Sequence, residues 1–210
     1  GGIGAGRVNA FRALSEEARP VVELISVVFG DSLYGNNNGK PEAGEKINLR
    51  VALRNVWGDA EEVHIALFSD DYAIQIEDNS SDLGTVAGGT RFLSNDDDLI
   101  SFTVSEESLP HRVAFNLQIT TSNGFVYDRE IYMSIDPMVL IVDDDDGANN
   151  VDPYYTKALD RMGVVYEVWD HVLRGTPRGV LTSYPNVIWL CEWTFPSLDQ
   201  TDREEITEYL

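Results

Sequence analysis

The sequence predicts a multidomain chain in which an all-β sandwich is followed by a partial α/β unit built on a parallel sheet. From residue 20 to residue 136, apolar and polar residues alternate and turn-forming residues interrupt them at short intervals, a pattern typical of packed β-sheets. At Pro137 the alternation stops, and residues 138–142 form an unbroken apolar run, as in a parallel strand that is covered on both faces. These patterns divide the chain into residues 1–19, 20–136 and 137–210.

The predicted strands of the sandwich are enough for two packed sheets. The clearest strand begins at Lys46, since every second residue from Ile47 onward is apolar and would face the core. The pair Asn123-Gly124 predicts a tight hairpin turn between the last two strands. The predicted strands are Val21–Phe29, Lys46–Arg54, Val63–Phe68, Ala73–Glu77, Leu99–Val104, Val113–Thr120 and Phe125–Ile135.

The last part of the chain alternates strands with helices. Asp152 can cap the first helix and Pro153 can occupy its first turn, while a second, acidic helix begins at Thr201. The strands are predicted at Met138–Val142, Val164–Trp169 and Asn186–Leu190. This order predicts an open parallel sheet of the flavodoxin-like or doubly wound type.

A parallel sheet that stops at Leu210 would be incomplete. We expect one sheet edge and one helix face without a cover. Exposed apolar surface of this kind usually marks an interface. The sequence therefore predicts either self-association through residues 137–210 or burial of that surface against the sandwich.

Composition limits the partners and the chemistry of the chain. The 36 acidic and 15 basic residues give a net charge of −21, which repels nucleic acid and anionic lipid headgroups. No apolar run approaches the roughly 18 residues of a membrane span. The single cysteine, Cys191, excludes an intrachain disulfide.

Two groups of oxygen-bearing side chains are candidate calcium sites. The first consists of Asp31, Asn36, Asn38 and Glu45, on a glycine-rich loop. Calcium accepts six to eight oxygen ligands at flexible geometry. The alternative is a turn whose asparagines tolerate left-handed backbone.

The second group consists of Asp143, Asp144, Asp145 and Asp146, at the carboxyl end of the first parallel strand. Open α/β sheets bind ligands at this edge. Adjacent carboxylates repel one another unless a divalent cation such as calcium, a polar ligand or a helix N-terminus compensates. The alternative is that one or two of them cap a helix and the others are solvated.

The first residues of the chain carry a family resemblance. Gly4-Ala5-Gly6-Arg7-Val8-Asn9-Ala10, followed by Ala13-Leu14, resembles the segment that closes the catalytic domain of secreted subtilisin-like serine peptidases. An ordinary glycine-rich tail is the alternative. That family places its nucleophile in a Gly-Thr-Ser-Met-Ala block, but the three Gly-Thr pairs here are followed by Val86, Arg91 and Pro177. The resemblance therefore implies a region outside the catalytic triad.

Two further stretches support the same resemblance. The loop 31–45 is similar to one that opens immunoglobulin-like accessory domains of secreted bacterial peptidases. Residues 139–147, 154–160, 163–170 and 181–189 resemble an α/β domain, related to class I glutamine amidotransferases, that follows the sandwich in some of these peptidases. In that fold the nucleophile, when present, lies on an elbow after a later strand, which this chain does not reach.

The resemblance implies a non-catalytic accessory region of a secreted, extracellular peptidase. Its partners would be the catalytic domain of the parent protease and a polysaccharide or cell-surface protein. One alternative is an α/β hydrolase or amidotransferase-like enzyme whose catalytic elbow lies outside this chain. Another is a carbohydrate-binding or surface-assembly module.

Overall fold

The computed structural model describes residues 18–145, 151–191 and 195–210. The peptidase-like segment at the N-terminus lies almost entirely outside the described residues. Most of the regular structure is β-sheet, in agreement with the predicted sandwich.

Nine strands form two antiparallel sheets in the first part of the described chain. Their bounds are β1 Val22–Gly30, β2 Lys46–Asn55, β3 Ala60–Phe68, β4 Ile74–Asp78, β5 Ser80–Val86, β6 Leu93–Ser94, β7 Ile100–Val104, β8 His111–Thr120 and β9 Val126–Ile135. The first sheet has the order β1-β2-β7-β4, with β6 paired to β2, and the second has the order β5-β3-β8-β9.

The predicted alternation places the core between these two sheets. Ile47, Leu49 and Val51 on β2 are fully buried. Across the core, the ring of Phe115 on β8 lies 5.0 Å from that of Phe102 on β7, centroid to centroid. Offset aromatic pairs at this distance contribute beyond their buried area, so they help to hold one sheet against the other.

Two strands of the sandwich, β5 and β6, were not predicted from the sequence. β5 begins with Ser80 and contains Gly84, and such residues are depleted in strands. It nevertheless pairs with β3 as the edge strand of its sheet. The predicted hairpin at Asn123-Gly124 joins β8 to β9, and Gly124 has a positive φ of 91°.

The last part of the described chain contains a small parallel sheet. β10 Val139–Asp143 lies between β11 Tyr166–Asp170 and β12 Asn186–Leu190 and is parallel to both. The helices are α1 Asp152–Met162, α2 His171–Arg174 and α3 Gln200–Tyr209, with a 3₁₀ turn at Leu181–Ser183. The predicted capping role of Asp152 is wrong, because Val151 is the N-cap residue and Asp152 lies in the first helical turn.

Both faces of β10 are covered, which corrects the expectation of a bare face. Val139 and Ile141 pack in one apolar cluster with Leu159 of α1. Leu140 and Val142 pack in another, which includes the 3₁₀ turn and side chains of α3. Self-association through residues 137–210 stays a prediction, since β11 and β12 are the edges of this sheet among the described strands.

The flavodoxin-like assignment is not supported by this sheet. It has only three strands of five residues each, whereas doubly wound folds combine more strands with helices on both faces. What the described residues establish is a β-rich chain with a small parallel sheet after the sandwich.

The sandwich and the parallel sheet meet at a packed junction. Ser134 Oγ on β9 donates to the carbonyl oxygen of Tyr166 on β11 at 2.5 Å. Ser183 Oγ donates to the carbonyl of Asn38, in the loop 31–45, at 3.1 Å. Beside it, Gly39 has φ +73°, and a Cβ placed there would lie 2.8 Å from Cγ2 of Val180. This loop therefore contacts the second part of the chain through close backbone approach.

Candidate functional site

The four predicted ligands of the first acidic loop lie together in a turn. Asp31 Oδ2 accepts hydrogen bonds from the backbone N–H groups of Asn38 and Gly39, at 2.8 and 3.1 Å. Glu45 accepts from the backbone of Asn36 at 3.1 Å. Carboxylates that accept backbone N–H groups in this way stabilise turns.

Glu42, which the sequence analysis did not single out, joins the same network. The side-chain amides of Asn36 and Asn38 both donate to its Oε2, at 2.7 and 2.8 Å. Burial raises the pKa of Glu42, but these two hydrogen bonds and one from Lys40 outweigh it, so the net pKa is lowered. The geometry matches the turn interpretation, and calcium binding by this loop stays a prediction.

The second acidic group divides between two clusters. Asp143 and Asp145 converge with Asp152 from α1, and one oxygen of each lies within 4.8 Å of the others. Asp144 points into a different cluster, and Asp146 lies outside the described residues. Asp152 was predicted only as a helix cap.

Negative charge is concentrated in the cluster of Asp143, Asp145 and Asp152. Burial raises the pKa of Asp143 to about 7, and the neighbouring carboxylates of Asp152 and Asp145 add to the effect. The buried Oδ1 atoms of Asp143 and Asp152 have no hydrogen-bond partner among the described residues. Convergent carboxylate oxygens of this kind suit a hard divalent cation, and without one they favour retention of a proton.

A histidine bridges two buried carboxylates in the other cluster. His171 Nδ1 lies 3.2 Å from Asp144 Oδ1, and Nε2 lies 2.9 Å from Asp202 Oδ1. Since both ring nitrogens face carboxylates, the imidazolium is the form that can donate to both. Trp189 Nε1 also donates to Asp144 Oδ2, at 2.9 Å. The cluster therefore links β10, α2 and α3 through one imidazole ring.

Asp202 is held in its ionised form by this network. Burial raises its pKa, but hydrogen bonds from Thr176 and His171 and from the backbone of Asp199 outweigh burial, so the net pKa is lowered. Asp202 and Asp199 also form a reciprocal capping box at the start of α3. These contacts identify the cluster as an ion network that satisfies buried groups.

Among the described residues, no serine, threonine or cysteine is hydrogen-bonded to a histidine. Each histidine contacts carboxylates or a backbone carbonyl: His64 contacts Asp82, and His111 contacts Asp71. Burial raises the pKa of the Cys191 thiol, and the charges of Asp144 and Asp202 raise it further. A thiol with a raised pKa is a poor nucleophile.

None of the described helices combines the length and the apolar character needed to cross a membrane.

No protein family and no curated protein matches this chain. Among solved structures, a family 123 glycoside hydrolase from Clostridium perfringens is similar over 65% of this chain, at 7% identity and a TM-score of 0.33. The match spans 34% of that enzyme, so the chain corresponds to about a third of its length. A conjugative transposon lipoprotein from Bacteroides eggerthii is similar over 53% of this chain and 93% of its own, at 14% identity and a TM-score of 0.29. Likenesses this low assign neither a family nor an activity.

Proposed function

We propose that this chain is a non-catalytic accessory region of a secreted subtilisin-like peptidase. In this proposal, residues 20–136 form an immunoglobulin-like sandwich and residues 137–210 form part of an α/β domain of flavodoxin-like type. Their work is to support the catalytic domain and to bind substrate or a surface outside the cell.

The observation that carries the proposal is the packed junction between the two parts. The hydrogen bonds from Ser134 to Tyr166 and from Ser183 to Asn38 tie a sandwich strand and a sandwich loop to the second part. A junction of this kind fixes the orientation of two modules, which a spacer or a support requires.

The first test is for peptidase activity in the whole chain. We expect no hydrolysis of unfolded casein and no covalent labelling by a fluorophosphonate probe, because the serines lack a histidine base among the described residues. A subtilisin treated in the same way is the positive control. Labelling of any serine in the chain would overturn the non-catalytic assignment.

The second test is for surface binding. The folded chain is mixed with insoluble polysaccharides and with bacterial cell walls, and the bound fraction is measured after sedimentation. We expect retention by at least one of these above that of an unrelated acidic protein, and retention should disappear after heat unfolding. If neither material retains the folded chain, surface binding is wrong and structural support alone remains.

We further propose that calcium stabilises the chain at the cluster of Asp143, Asp145 and Asp152. Three carboxylates converge there, and the buried Oδ1 atoms of Asp143 and Asp152 have no hydrogen-bond partner among the described residues. These two observations support this site over the loop 31–45, in which the carboxylates already accept backbone hydrogen bonds.

A further inference from the structure

A cavity of about 260 Å³ lies where the sandwich meets the parallel sheet. Its walls come from β1, β8 and β9 on one side and from β11 and α2 on the other. This volume is slightly below the roughly 300–1,000 Å³ of most ligand pockets. An occupant must therefore be a small molecule.

Two arginines line this cavity without a carboxylate partner. Arg112 and Arg174 form neither an ion pair nor a hydrogen bond with any of the described residues. Some basic side chains of the sandwich do find carboxylates, such as Lys46 with Glu77 and Arg54 with Glu23. In a chain with a net charge of −21, two guanidinium groups without an ion pair line the same cavity.

Aromatic rings hold both guanidinium groups in place. Cζ of Arg112 lies 4.1 Å from the ring centroid of Tyr132 and 6.0 Å from that of Tyr166. Cζ of Arg174 lies 3.4 Å from the ring centroid of Trp169. Stacking on a ring occupies the flat face of a guanidinium and leaves its N–H groups at the edge free to donate.

The acidic groups of the cavity form no ion pair with either arginine, although the charges of Glu167 and Asp170 both raise the pKa of Arg174 against the effect of its burial. Asp170 uses Oδ1 to accept from the backbone N–H of Leu173 and so caps α2. Among the described residues, Glu167 forms no ion pair with either arginine. Burial raises the pKa of Glu167 to about 7 even though the charges of Arg174 and Arg112 oppose the effect. Near neutral pH this carboxyl is therefore only partly ionised.

Part of the remaining lining is apolar. Val27 and Phe29 of β1, Ile131 of β9 and Val168 of β11 line the cavity. Apolar walls with a few charged groups are common in sites for small organic ligands. Such walls favour an apolar body over inorganic phosphate.

We propose that this cavity binds a small organic carboxylate, whose charged end lies between Arg112 and Arg174 and whose apolar body packs against β1 and β11. Arginine N–H groups match carboxylate oxygens in geometry and can form paired, charge-assisted hydrogen bonds. The site lies outside both acidic clusters and does not depend on a metal ion.

The test uses 3-phenylpropionate as the probe and the whole chain as the protein. Its neutral counterpart, 3-phenylpropionamide, has the same shape without the charge, and inorganic phosphate has the charge without the apolar body. Binding is measured by titration in ¹H–¹⁵N NMR spectra, in EDTA to remove cations. We expect saturable shifts of Val168 and Leu173 with the carboxylate, and at least tenfold weaker binding of the amide and of phosphate.

Two arginine variants locate the binding. Arg112→Gln and Arg174→Gln should each weaken binding of 3-phenylpropionate at least tenfold. The matched control is Arg129→Gln, which removes the same charge from β9 at a residue that does not line the cavity, and it should bind like the unchanged chain. Arg112 is exposed, so its variant keeps the fold even if Arg174→Gln does not.

The proposal is overturned by any one of three results. The first is no saturable shift with the carboxylate at millimolar concentration. The second is equal binding of the amide or of phosphate. The third is binding by a folded Arg112→Gln variant that matches the Arg129→Gln control.

Discussion

Glu167 illustrates how one partly buried side chain can make stability depend on pH. Burial raises its pKa from 4.5 to about 7, so between these pH values the folded chain keeps a proton that the unfolded chain has lost. The contribution of Glu167 to stability therefore falls as the pH rises through this window, by at most about 3 kcal/mol. The pKa of Asp143 is raised to about 7 as well, so its contribution has the same sign.

We expect Glu167→Gln to remove part of this pH dependence. The neutral amide does not ionise, so the variant should lose less stability than the unchanged chain between about pH 5 and pH 7.5. Urea unfolding at both pH values, in EDTA, measures the difference. Glu107→Gln is the matched control, because Glu107 is exposed. If Glu167→Gln and Glu107→Gln show the same pH profile, burial of Glu167 does not raise its pKa.

At the scale of elements, the carboxyl end of β10 and the first turn of α1 together build the acidic cluster. A cation that binds only the folded chain adds RT ln(1 + [L]/Kd), or about 2.7 kcal/mol at one hundred times Kd. Calcium should therefore raise the melting temperature relative to EDTA. Asp152→Asn should reduce or abolish this rise, whereas Glu45→Gln in the loop 31–45 should leave it unchanged.

The reverse pattern would assign calcium to the loop instead. If Glu45→Gln abolishes the rise and Asp152→Asn does not, the cluster at β10 binds no calcium. If the unchanged chain melts at the same temperature in calcium and in EDTA, neither group of carboxylates is a calcium site.

The sequence predicted the elements that have a strong periodic pattern. β2 and β12 were found because their side chains alternate or form an apolar run. β5 was missed, since Ser80 and Gly84 have little intrinsic preference for strands and its pairing with β3 depends on tertiary contacts. The local sequence pattern thus predicts strands with clear alternation or an apolar run. Strands such as β5, which depend on pairing with a neighbouring strand, cannot be predicted from it.

The candidate sites were predictable only where their residues are adjacent in the sequence. Asp143 and Asp145 stand together and were named as a group. Asp202 lies 31 residues after His171, and only the packing of α3 brings the two together. The cavity with Arg112 and Arg174 was invisible for the same reason, because its walls come from both parts of the chain.

At the scale of the whole molecule, the junction should make the two parts unfold together. Gly39 has φ +73°, and a Cβ added to it would lie 2.8 Å from Cγ2 of Val180. Gly39→Ala combines backbone strain of about 1–2 kcal/mol with a clash at the junction. We expect calorimetry to show one transition for the unchanged chain and a broadened or split transition for this variant.

Gly89→Ala provides the matched control. Gly89 has φ +85°, but no atom lies within 4 Å of an added Cβ. Gly89→Ala therefore has the same kind of backbone strain as Gly39→Ala but no clash. This variant should melt lower in a single transition. Two transitions in the unchanged chain would show that the junction does not couple the two parts.

The bridge formed by His171 has an evolutionary consequence. One imidazole ring bridges Asp144 and Asp202, which are 4% and 1% exposed. Replacement of the histidine alone would remove one hydrogen-bond partner from each of these buried carboxylates, at a cost of about 1–3 kcal/mol for each. Single replacements are therefore disfavoured at these three positions, and we expect the three residues to change together.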